Sequence, residues 1–162
     1  MRQVGIFLGL TLMIGMTGCA MNTDLPPDPK DRILFVKTQA QEAEKKAARL
    51  IPEAARTDVK QIDEGTLLSC SGGRQWSGNT KVLLSDPSAG ASVLNDLGRE
   101  ASEHGFTVSR NTTADGAPRL RLVDEHGTTL LAAVWVDGKS IDFDSFSECF
   151  SLPDDFVPHG SY

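Results

Sequence analysis

The sequence predicts an α+β domain: one mostly antiparallel β-sheet of about five strands, with two helices packed on one face, in the order α-β-β-α-β-β-β. Three observations predict it. Two segments, each opened by an Asp-Pro pair at positions 28 and 86, carry apolar residues at helical spacing. Elsewhere the apolar period shortens to two, punctuated by glycine turns. Three strand-like runs then close the chain without another helix, which excludes the strand-helix alternation of a parallel sheet.

Asp28-Pro29 sets the first helix, because aspartate caps free amides of the opening turn and proline at the first helical position forfeits no hydrogen bond. Ile33, Val36, Ala40, Ala43, Ala47 and Leu50 then recur three or four residues apart, giving an amphipathic helix that ends near Pro52. Glu42, Glu44, Lys45, Lys46 and Arg49 read as its solvated face. Thr66–Cys70, a turn at Gly72-Gly73 and Lys81–Leu84 form a loose hairpin with Trp76 as a core residue. Asp86-Pro87 repeats the start signal, Val93, Leu94, Leu97 and Ala101 share a helix face, and His104-Gly105 stops it. His104 in the last turn reads as a cap, where positive charge suits the helix dipole.

The last three strands permit a register argument. A two-residue type I′ turn at Asp137-Gly138 places Val134 opposite Ile141 and Ala132 opposite Phe143. A three-residue turn at Glu125-His126-Gly127, with glycine in the left-handed position, places Leu122 opposite Leu130 and Leu120 opposite Ala132. Because strand side chains alternate, the other face carries Arg119, Arg121, Leu131, Ala133, Trp135, Asp142 and Asp144. Two readings of that face compete. In one it is an ordinary solvated face whose arginines and aspartates bridge over Ala133. In the other, Leu131 and Trp135 form an exposed apolar strip, rimmed by charges, that binds a protein or glycan partner.

The N-terminus indicates where the protein works. Met1-Arg2-Gln3 precedes an apolar run from Val4 to Gly15, and Met16-Thr17-Gly18 leads into Cys19, the charged, apolar and small-residue regions of an export signal. The run is shorter than the roughly 20 apolar residues of a membrane span and meets the polar Asn22-Thr23-Asp24 at once. Thr17-Gly18-Cys19 resembles the lipobox cut by signal peptidase II, with Met16 where that family usually carries leucine. The resemblance implies a diacylglyceryl group on Cys19, which becomes the new first residue. Residues 1–18 are then a signal peptide, 19–30 a lipidated proline-rich tether, 31–150 one domain and 151–162 an irregular tail. The expected location is extracytoplasmic, anchored by lipid to the cell membrane; a secreted soluble protein is the alternative if lipidation fails.

Removing the signal leaves 144 residues, enough for one cored domain. The 16 basic residues fall to 15 against 22 acidic ones, a net charge of −7. That balance argues against nucleic acid and against attachment through anionic headgroups, both of which favour basic patches. Beyond Cys19, Cys70 and Cys149 form an even pair that reads as one disulfide in an oxidising compartment. Closing so long a loop restrains the unfolded chain by about 4 to 5 kcal/mol, an upper value from chain entropy.

No catalytic, metal or cofactor motif stands out. His104, His126 and His159 lie beside no recognisable Ser or Cys nucleophile, and Asp124, Glu125 and His126 read as a polar turn. The lipobox-like Thr17-Gly18-Cys19, the Cys70 and Cys149 pair and the element order resemble small uncharacterised lipoproteins of actinobacteria. That likeness implies an envelope location and assigns no residue role beyond Cys19. The expected function is a non-enzymatic binding or structural module of the cell envelope, the alternative a small extracytoplasmic enzyme.

Overall fold

The computed structural model describes residues 25–162, so Cys19 and the export signal lie outside the described residues. Helix α1 (Pro29–Arg49) begins where the Asp28 carboxylate accepts from the amides of Lys30 and Asp31, at 2.8 and 3.2 Å. Strands β1 (Arg56–Gln61), β2 (Thr66–Cys70) and β3 (Gly73–Leu84) follow. Asp86 then caps a short 3-10 turn, Pro87–Ala89, that leads into helix α2 (Gly90–Glu103). The Ser88 hydroxyl, and then its amide, hold the Asp86 carboxyl below the usual carboxylate range. Strands β4 (Thr107–Thr112), β5 (Pro118–Val123), β6 (Thr129–Val134) and β7 (Ser140–Phe146) complete the regular structure.

All strands join one antiparallel sheet in the order β1-β3-β7-β6-β5-β4, with β2 pairing the first half of β3 and β1 its second half. Among the described residues the α+β class and the two helices stand as expected, but the sheet has seven strands rather than about five. The two added strands, β1 and β4, are the ends of that order. Each carries a single apolar residue, Val59 or Val108, so neither shows the alternation that marks a half-buried strand.

Both helices cover the same sheet face. Ala43, Ala47 and Ile51 at the end of α1, and Leu94, Leu97 and Ala101 of α2, close over Leu120, Leu122, Leu130, Ala132, Ile141 and Phe143. A second cluster joins Ile33, Val36 and Ala40 of α1 to Trp76 and Phe150, with Leu152, Phe156 and Tyr162 packed against it. The tail therefore has no regular structure yet is held: Tyr162 and Gly65 exchange backbone hydrogen bonds of 2.7 and 3.0 Å. Every described strand packs on one or the other of these two clusters, which together make the hydrophobic core of residues 25–162.

The registers of the last two hairpins are those expected, with Leu122 opposite Leu130 and Val134 opposite Ile141. One turn differs. No described non-glycine residue has a positive φ, so Asp137 cannot take the first place of a type I′ turn. The Gly138 amide instead donates to the Trp135 carbonyl at 2.8 Å, inside a longer loop closed by the Trp135 amide on Ser140 at 2.9 Å.

Glu44 is also corrected. Far from the solvated face, it is fully buried: Gln61 Nε2 and Thr80 Oγ1 donate to its Oε2 at 2.6 and 2.7 Å, and Ser145 Oγ donates to its Oε1. Ala40, Ala43, Ala47 and Ala48 surround it on the buried helix face, and their small size leaves room for a carboxylate above the sheet.

Cys70 and Cys149 form a disulfide that ties the end of β2 to the segment after β7. Cys70→Ser with Cys149→Ser, followed by thermal unfolding, is expected to lose about 2–4 kcal/mol, the usual effect of opening a long loop. An unchanged midpoint relative to the oxidised protein would mean that the unfolded chain gains little freedom.

Candidate functional site

The sheet face away from the helices is built by register. One row crosses it as Lys81, Asp142, Ala133, Arg119 and Asn111; the next as Asn79, Asp144, Leu131, Arg121 and Ser109. Trp135 follows Ala133 by two residues and stands at the end of the face. Its side chain is 50% exposed, and Val136 beside it is 87% exposed.

The charges do not pair as the first sequence reading expects. Asp142 turns away from Arg119 to Lys81, at 3.4 Å, and accepts from the Ser140 hydroxyl at 2.6 Å. Lys81 in turn lies 5.0 Å from the Trp135 ring centroid, a cation–π contact that fixes one side of the indole. Asp144 accepts from Asn79 Nδ2 at 3.0 Å. Arg119 donates instead to Asn111 Oδ1 at 3.0 Å, and Arg121 to Thr129 Oγ1 at 3.1 Å. Neither arginine has a carboxylate partner among the described residues.

The face is thus divided. Its β3–β7 half sets two carboxylates against one ammonium, while its β5 half presents two guanidiniums oriented by neutral groups, a local excess of positive charge on an acidic chain. Leu131 and Ala133, both half-buried, form the apolar seam between the halves. Lys81, Asn79, Asn111 and Thr129 went unread in the sequence as members of this face. Thr129 and Asn111 follow from hairpin registers, whereas Lys81 and Asn79 depend on the long-range pairing of β3 with β7.

The three histidines are scattered. His104 is the C-cap of α2, with Nδ1 2.8 Å from the Glu100 carbonyl. His126 sits in the β5–β6 turn, where the Asp124 carboxylate accepts from the amides of His126 and Thr128 at 3.0 and 2.8 Å. His159 lies in the tail, its amide donating to the Tyr162 hydroxyl at 2.8 Å. Among the described residues no group of three or more His, Cys, Asp and Glu could hold a metal ion, and no helix is long and apolar enough to cross a membrane.

No protein-family model matches the chain, and no curated protein sequence matches it. Among solved structures it is similar to the crystal structure of a DUF4853 family protein from Actinomyces odontolyticus. The two share 16% identity over 79% of this chain and 76% of that one, with a TM-score of 0.42.

Proposed function

We propose that this protein is a lipid-anchored, extracytoplasmic binding module of the cell envelope, with no catalytic role, whose open sheet face takes an envelope protein or glycan. The observation that carries the reading is the helix-free face on which Trp135 stands half-exposed and two arginines have no carboxylate partner among the described residues. Trp and Arg contribute most binding energy where they are preorganised and become desolvated by a partner. The hydrogen bonds that the guanidiniums donate to Asn111 and Thr129 supply that preorganisation.

Orientation supports the same reading. The first turns of α1 pack beside Trp76 near the start of β3, whereas Val134 pairs with Ile141, which pairs with Val82 near its end. From Ser77 to Val82 the sheet advances about 17 Å at roughly 3.3 Å per residue. The start of α1 and Trp135 therefore stand at opposite ends of the sheet, an arrangement that suits a face presented away from an anchor preceding Asp28.

Site-directed photocrosslinking in the native host tests this. A benzophenone side chain at Leu131 is expected to trap a discrete adduct that Arg119→Glu with Arg121→Glu reduces at least tenfold. The same probe at the exposed Asp96 of α2 is expected to trap none. Equal adducts from both positions, or an open-face adduct indifferent to the arginines, would overturn the binding face. Native mass spectrometry of the extracted protein tests the anchor separately: a mass starting at unmodified Cys19 would sink it.

A further inference from the structure

At the Trp135 end, α2 and the sheet part to leave a groove of about 550 Å3, lined in its apolar part by Gly90, Ala91, Leu94, Pro118 and Val134. That volume lies within the range of about 300–1,000 Å3 typical of small-ligand sites. Gly90 makes the floor: a Cβ there would meet the Val134 methyl carbons at 3.0 and 3.3 Å. Among the described residues no carboxylate lines the groove, and the one charged group there is Arg110. The Arg110 guanidinium lies across α2, donating at 3.4 Å to the Asn95 carbonyl, and has no ion-pair partner among the described residues. Asp86, next in sequence to the groove, spends its carboxylate on Ser88, whose amide and hydroxyl donate at 2.8 and 2.7 Å.

We infer that this groove binds a small amphipathic carboxylate, a medium-chain fatty acid, with its chain against Leu94 and Val134 and its head on Arg110. The shape and the charge each select part of that ligand. An apolar trough favours a hydrocarbon chain, since each methylene removed from water contributes to binding. A single guanidinium, a planar fork with several donors free, carries one positive charge and matches the one negative charge and two oxygens of a carboxylate. The site lies between α2 and the sheet, so it is separate from the open face and does not depend on that face binding anything.

Titration of the protein with decanoate and with decan-1-ol, followed by methyl NMR below the micelle range, tests the inference. Decanoate is expected to shift the Ala91, Leu94 and Val134 methyl signals saturably and to bind at least tenfold more tightly than the alcohol. Arg110→Gln is expected to bring decanoate down to the alcohol's affinity. Ala91→Phe, at an exposed position where the fold tolerates bulk and a melt verifies it, is expected to remove binding of both. Four outcomes overturn the proposal: no saturable shift, equal affinity in Arg110→Gln, shifts centred on Leu131 and Ala133 of the open face, or shifts that follow protein concentration without probe and so report a second copy in the groove.

Discussion

Glu44→Ala is expected to lower the unfolding free energy by about 2–6 kcal/mol, the cost of leaving unpaired the two buried hydroxyls that donate to it. The carboxylate accepts from Gln61, Thr80 and Ser145, joining α1 to β1, β3 and β7, and Thr80 and Ser145 are fully buried. Alanine leaves those two hydroxyls dry and unpaired, each costing about 1–3 kcal/mol. Glu44→Gln is expected to lose less, because the hydroxyls can rotate and accept from the new amide. Glu42, two residues away and exposed, is the control: Glu42→Ala is expected to stay within about 0.5 kcal/mol. Urea unfolding of the three variants decides it, and a Glu44→Ala no weaker than Glu42→Ala would mean that water or a rearranged Gln61 replaces the carboxylate.

The burial of Glu44 was legible in one respect and hidden in another. Position 44 is four residues from both Ala40 and Ala48, so helical spacing alone places it on the buried face. Its charge argues the other way, and only the hydroxyls and amide brought above it by three separate strands reverse that argument. The hairpins show a related contrast. β5, β6 and β7 follow one another through short turns, so local alternation settles their register, and it survives a misjudged turn because the two-residue and longer loops share the same centre. No turn links β3 to β7, which are separated by α2 and three strands. The neighbours Lys81 and Asn79, which draw Asp142 and Asp144 away from the arginines, were therefore invisible from local pattern. The edge strands β1 and β4 escaped for a third reason: an edge keeps polar residues, and polar residues carry no period.

Trp76→Ala is expected to cost about 3–5 kcal/mol, as for other large aromatic truncations in a core. The indole is fully buried, donates from Nε1 to the Tyr162 carbonyl at 3.2 Å, and lies against two glycines. A Cβ on Gly78 would stand 2.1 Å from the ring edge, and one on Gly65 would stand 2.5 Å from it. Gly78 has no positive φ, so its backbone alone does not require glycine; the approach of the ring does. Gly78→Ala is accordingly expected to cost about 1–3 kcal/mol by overpacking in the wild-type background. In the Trp76→Ala background the obstructing ring is gone, and the same change is expected to be near neutral. The cycle should therefore give a coupling of about 1–3 kcal/mol between two residues in contact. Additive losses would mean that Gly78 serves the strand itself rather than the indole. Trp76→Ala also removes the side-chain hydrogen bond that helps hold the tail, so the Gly65 and Tyr162 amides, which donate to each other's carbonyls, are expected to lose hydrogen-exchange protection before the α2 amides do. Such early loss would mark the Trp76 cluster as opening separately from the main core beneath α2.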